Sequence, residues 1–126
     1  MAARSVTISM INLTTQTLTL VQSPPLAHGQ WQTPPPATIA KKASWEAVSD
    51  GLATGVQGSL VYQIGSAPAS APPPPSQPKT PSVTLTFDNP FVGSDDFEAT
   101  VSSGFNCAVT SNSGNDATVT YTLSAL

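Results

Sequence analysis

The segment SWEAVSDGLATGVQGSLVYQIG, residues 44–65, decides how this chain is read. It begins with a large aromatic beside an acid, passes four glycines (Gly51, Gly55, Gly58 and Gly65) and ends in alternation. Over residues 58–64, Leu60, Tyr62 and Ile64 fall on one side of an extended chain, with Ser59, Val61 and Gln63 on the other. A period of two is the mark of a half-buried strand. Residues 43–48 repeat it, with Trp45 and Ala47 opposite Ser44, Glu46 and Val48. Asp50-Gly51 between the two is a turn signal. The glycines read as turn positions and the Leu60-Tyr62-Ile64 face as core.

Working outward, the same pattern recurs. Residues 5–13 place Val6, Ile8 and Met10 on one face, and residues 17–21 place Leu18 and Leu20 together. The short Thr-Thr-Gln link between them suggests a hairpin. Ser23-Pro24-Pro25 stops the second strand, because proline cannot donate to a ladder. Residues 28–36 read as loop or edge, and residues 37–39 pair only briefly. Residues 82–87, 97–102, 105–110 and 117–123 are further strands, the last with Val119, Tyr121 and Leu123 on one face. No stretch shows a 3.6-residue stripe. About eight or nine short strands at regular spacing predict an all-β fold, a single-domain antiparallel β-sandwich.

Residues 66–82 are of another composition: Pro68, the run Pro72 to Pro75, Pro78 and Pro81 among alanine and serine. Such a tract prefers extended polyproline II and packs no core. It reads as a proline-rich inserted loop within one domain spanning residues 1–126. Its Pro75-Ser-Gln-Pro78 core fits an SH3 or WW ligand only loosely.

Composition narrows the function. A chain of 126 residues buries roughly two-thirds of its unfolded surface and needs no staple. Only 9% of residues are charged and the net charge is −3. The four cations, Arg4, Lys41, Lys42 and Lys79, form no basic stripe. A nucleic-acid partner is therefore not expected, and membrane contact would rest on aromatics and neutral headgroups rather than charge. One cysteine, Cys107, allows no internal disulfide. The start, MAARSVTISMINL, lacks the apolar centre of a signal peptide, so cytoplasmic synthesis is expected, with leaderless secretion left open.

No catalytic constellation assembles. His28 is the only histidine and no Gly-x-Ser-x-Gly elbow accompanies it. Asp88, Asp95, Asp96 and Glu98 cluster, yet no Asp-x-Asp-x-Asp-Gly loop is present, so no metal and no cofactor is expected. Cys107 lies in an alternating strand and reads as a small core residue. The Asn12-Leu-Thr14 acceptor pattern reads as a strand end. Trp31 and Trp45 carry more weight: tryptophan suits core, interface and lipid headgroup alike. Trp31 sits among Gly, Gln and Pro and reads as a loop-proximal ring. Trp45 reads equally as core or binding residue. Phe91 follows Asn89-Pro90 in a turn. The candidate ligand- or lipid-binding residues are thus Trp31, Trp45, Asp50, Asp88, Asn89 and Phe91, gathered where Trp31, the Asp50-Gly51 turn and the loop of residues 88–94 meet, with Trp45 behind.

At Trp31, Trp45-Glu46, Asp50-Gly51, Thr54-Gly55, Gly58-Ser59 and Tyr62-Gln63-Ile64, then Phe87-Asp88-Asn89-Pro90-Phe91-Val92-Gly93-Ser94, the chain resembles the aegerolysin-like superfamily of fungal and bacterial hemolysin-type proteins. The resemblance spans residues 5–123, with the proline-rich tract as an insertion. It implies a non-enzymatic β-sandwich without a signal peptide that binds membrane lipids, often sphingolipid-rich ones. It also implies permeabilisation, where it occurs, with a larger perforin-like partner protein. The chain departs from the pattern in having two tryptophans where the lipid-facing surface of the family is tryptophan-rich. Beside this stands a soluble lectin-like or receptor-binding module, since a Thr/Ser/Asn-rich surface suits glycan hydroxyls. The terminal strands, undefended by lysine, offer edges for a homodimer.

Overall fold

A computed structural model describes residues 4–22, 26–49, 55–65, 81–90, 95–112, 114 and 116–126. These residues form ten strands. They are β1 (Ser5–Asn12), β2 (Leu18–Gln22), β3 (Gln30–Thr33), β4 (Thr38–Ile39), β5 (Lys42–Val48), β6 (Val56–Ile64), β7 (Ser82–Asn89), β8 (Asp96–Val101), β9 (Phe105–Ser111) and β10 (Asp116–Ala125). No helix among the described residues is long and apolar enough to cross a membrane. The strands make two five-stranded sheets, ordered β3-β5-β1-β10-β9 and β4-β2-β6-β7-β8. The fold is the expected all-β sandwich, and the tenth strand is β3, from the stretch read as loop or edge.

Alternation builds the core. Val6, Ile8 and Met10 of β1, Trp45 and Ala47 of β5, and Val119, Tyr121 and Leu123 of β10 all face inward and are buried. They meet Leu60, Tyr62 and Ile64 of β6 and Val83, Leu85 and Phe87 of β7. Each such side chain contributes roughly 1.5–3 kcal/mol by leaving water. Both buried tyrosines keep their hydroxyls satisfied across the sandwich. Tyr62 donates to the Pro36 carbonyl at 2.7 Å and Tyr121 to the Thr86 carbonyl at 2.7 Å. Burial pushes both phenols well above their ordinary range.

Three expectations are corrected. First, β1 and β2 form no hairpin; they lie in different sheets. Asn12 redirects the chain between them. Its amide donates to the carbonyls of Gln16 (2.6 Å) and Ala40 (3.0 Å), and its oxygen accepts from the Thr14 amide (3.1 Å) and hydroxyl (2.7 Å). With these bonds made and 4% of its surface exposed, Asn12 presents no glycan acceptor. Second, the sandwich is not wholly antiparallel: β1 and β10 run parallel, Ser5 opposite Asp116 through Asn12 opposite Leu123. A parallel pair needs a long crossover, and here it is the rest of the chain. Third, both terminal strands therefore sit inside a sheet, so neither offers the free edge on which terminal-strand dimerisation relied.

The proline-rich tract joins β6 to its antiparallel neighbour β7. Residues 66–80 lie outside the described residues. Its last two positions, Pro81 and Ser82, belong to the sheet: the Pro81 carbonyl accepts from the Ile64 amide at 2.8 Å, and Ser82 opens β7.

Candidate functional site

Strand register sorts the loops to two ends of the sandwich. At one end β1, β6, β8 and β10 begin and β5, β7 and β9 finish. Here lie Ser49 after β5, Asn89 and Pro90 after β7, and His28 and Gly29 before β3. The chain leaves the described part at Ser49 and Pro90 at this same end. Asp50 and Phe91, like the rest of the Asp50-Gly51 turn and residues 92–94, lie outside the described residues.

A bonded frame ties these positions together. The Arg4 amide donates to Ser49 Oγ at 3.1 Å, and the Ser49 amide returns a bond to the Arg4 carbonyl at 2.9 Å. The Arg4 guanidinium donates through Nε to the Pro90 carbonyl at 3.3 Å. Asn89, 1% exposed, donates its amide to the Ser5 carbonyl at 3.0 Å, linking β7 to β1 across the sheets. Ser5 Oγ in turn donates to Asp116 at 2.8 Å. Asn89 is thus a structural tie whose side chain holds the two loops in place rather than facing a ligand. Sequence reasoning had no signal for Arg4 or Ser49, because their partners are distant in the chain.

Trp31 occupies the adjoining rim. It pairs with Ala47 on β5, and its half-buried indole tilts onto Phe87 of the other sheet, centroids 5.8 Å apart at 59°. Two glycines let the chain reach this arrangement. Gly29 has φ +98°, and a Cβ there would stand 2.7 Å from the Val48 carbonyl oxygen. Only glycine takes that conformation without strain. Gly58, which opens the strand expected over residues 58–64, is the third residue of β6 and no turn position. A Cβ on it would collide with the Leu26 side chain and approach the Phe87 ring at 3.1 Å. It is a close-packing glycine that seats Leu26 and Phe87 beneath the rim. His28 and Gln57 close the same edge by exchanging backbone bonds of 3.3 and 2.9 Å.

Asp88 is half-buried beside this frame. Partial burial raises its carboxyl above the usual range, Asp96 adds to the rise, His28 opposes it and Asp95 adds a little more. Asp95 itself accepts from the Gly114 amide at 3.3 Å. Among the described residues, no cluster of His, Cys, Asp and Glu has the arrangement of a metal site. Trp45 is elsewhere. It lies in the core at 2% exposure, its ring 6.0 Å from Tyr62 and tilted by 50°. There it supports the packing. Cys107 is half-buried, its thiol pushed up to about 11 by burial, which leaves it protonated and unreactive at neutral pH.

The result is an all-β sandwich with one end built from a bonded frame, an aromatic rim and half-buried acid. In sequence, no family model and no curated protein matches the chain. In structure it is similar to the lipid binding protein Nakanori, with a TM-score of 0.72 at 12% identity over 98% of this chain and 72% of that one. It is also similar to RahU protein, solved in complex with a TRIS molecule, with a TM-score of 0.73 at 14% identity over 100% of this chain and 98% of that one. The chain shares the fold of these two proteins.

Proposed function

We propose that this chain is a non-enzymatic, aegerolysin-like protein that binds a lipid membrane surface through the loop end bearing Trp31 and Asp88. The observation that carries the reading is the likeness to a lipid-binding protein over 98% of this chain. It agrees with the family resemblance in the sequence. The local chemistry supports it. A half-buried indole at a rim can shift from Phe87 toward the headgroup level, where its ring is apolar and its N–H polar. Asp88, half-buried at this end, supplies the carboxylate that would meet the cationic part of a zwitterionic headgroup. With few cations, the neutral headgroups of sphingomyelin or phosphatidylcholine suit this end better than anionic lipid.

Asp50 and Phe91 belong to the same proposal, since the chain enters their segments from Ser49 and Pro90. Permeabilisation, on this reading, needs a larger perforin-like partner, and the chain alone releases no dye from vesicles.

Co-sedimentation with vesicles of phosphatidylcholine, sphingomyelin and sphingomyelin with sterol is the test. Binding to at least one composition, lost in Trp31→Ala but kept in Asn106→Ala on the far edge, supports the reading. Absence of binding to all three, with binding on a glycan array instead, would favour the lectin-like alternative.

A further inference from the structure

Among the described residues the sandwich has four edge strands, β3, β9, β4 and β8, and three of them are guarded. β3 is bulged between Trp31 and Thr33 and runs into Pro34, Pro35 and Pro36. β4 is two residues long. β8 exposes two acids, Asp96 and Glu98. Prolines, bulges, shortness and charge are the usual defences against pairing with another chain. β9, FNCAVTS, has none of them. It is seven residues long, uncharged and free of proline, and its register with β10 is unbroken.

The backbone polarity of β9 follows from two bonds at its ends. The Leu126 amide donates to the Gly104 carbonyl at 3.0 Å, and the Asn112 amide to the Thr118 carbonyl at 3.1 Å. Bonded and non-bonded pairs alternate in an antiparallel ladder. Asn106, Ala108 and Thr110 therefore bond β10, while Phe105, Cys107, Val109 and Ser111 turn their backbones outward. The Phe105 amide is taken by the Ser102 carbonyl at 3.3 Å. Among the described residues, the amides of Cys107, Val109 and Ser111 have no backbone partner. On the inner flank Phe105, Cys107 and Val109 stay half-buried, unlike the fully buried inward residues of β1 and β10.

We propose that β9 is a self-pairing edge, and that two copies of this chain join through it, antiparallel about a two-fold axis at Ala108. That register places Cys107 opposite Val109 of the second copy and Phe105 opposite Ser111. These are the four residues whose backbones face outward, so the free amides of Cys107, Val109 and Ser111 each meet a carbonyl of the second copy, of Val109, Cys107 and Phe105 in turn. Ala108 meets its own copy at the axis as a non-bonded pair, where side chains come closest and a small residue is needed. Asn106 faces Thr110 on the outer side. The strand bears no charge, so the two copies meet without repulsion at the seam. The β3-β5-β1-β10-β9 sheets of the two copies become one ten-stranded sheet, and the half-buried flank of β9 is covered by its own image. The proposal is independent of lipid binding.

The test is sedimentation velocity over a concentration series, with two variants. The parent chain shifts toward twice the single-chain mass as concentration rises. Ala108→Lys sets like charges opposite each other at the axis and weakens association about tenfold or more; Ala108 is exposed, so the fold is retained. Val109→Pro removes an outward amide and no bond to β10, and also leaves a monomer. In Ala108→Cys with Cys107→Ser, the two introduced thiols lie about 4.5 Å apart between Cα atoms, within disulfide reach, and mild oxidation traps a covalent dimer. A parent that stays monomeric throughout, with no trapping at position 108, overturns the proposal. So does a dimer that Ala108→Lys leaves intact.

Discussion

The two tryptophans of this chain occupy opposite environments within the same sheet. Trp45 is at 2% exposure on β5, tilted against Tyr62, its indole nitrogen buried without a hydrogen-bond partner. Trp31 is one strand over on β3, half-buried, resting on Phe87 at the rim. Strand position separates them. β5 has neighbours on both sides and a sheet beneath it, whereas β3 is an edge. Central strands spend aromatic area on stability, while an edge beside loops leaves some of it available for a ligand.

The sharpest break of this contrast is Trp45→Ala. Emptying a site of that size costs about 3–5 kcal/mol, a large part of a domain's whole stability. Denaturant titration should show a collapsed midpoint or no cooperative transition. Gly58→Val comes next. Its side chain collides with Leu26 and Phe87 under the rim, and overpacking of that kind costs about 1–3 kcal/mol. Such a variant should also disturb Trp31, visible as a shifted emission maximum.

Trp31→Ala should be milder for the fold, about 1–2 kcal/mol for a half-buried ring, yet it should abolish vesicle binding. Equal losses of stability from the two tryptophans would erase the distinction drawn between them. Trp45→Phe should be smaller again, under about 1.5 kcal/mol, because phenylalanine keeps much of the packing and removes an N–H that has no partner.

Asp88→Asn should have the smallest effect and one set by pH. The folded-state pKa of Asp88 is raised, so the protonated form favours the native state. That contribution is present below the ordinary carboxylate range and is lost as pH rises through the folded value. Melting curves of parent and variant should therefore differ little in acid, with the variant the more stable at neutral pH.

Much of the sandwich was legible because alternation reports burial directly. The inward faces of β1, β5, β6, β7 and β10 follow from Val6-Ile8-Met10, Trp45-Ala47, Leu60-Tyr62-Ile64, Val83-Leu85-Phe87 and Val119-Tyr121-Leu123. Partnership between strands was not legible, since periodicity names a face and never a neighbour. The parallel β1–β10 pair and the crossing at Asn12 depend on contacts far apart in sequence. The packing role of Gly58 was not legible, because only the packed structure brings Leu26 and Phe87 against it. For the site, Trp31, Ser49 and Asn89 lie at one end of the sandwich, while Asp50, Phe91 and residues 92–94 of the expected gathering fall outside the described residues. The role of Asn89 differs, because a buried amide tied to Ser5 cannot be told from an exposed one by its neighbours alone.

The most direct measurement of the proposed lipid role uses Trp45→Phe, which leaves Trp31 as the sole tryptophan. Its emission is followed with an aqueous quencher, before and after adding sphingomyelin–sterol vesicles. A half-buried rim indole should be partly quenched in buffer, then shift to the blue and become shielded as vesicles are added. Emission and quenching that stay the same with every vesicle composition would contradict a Trp31-centred membrane surface.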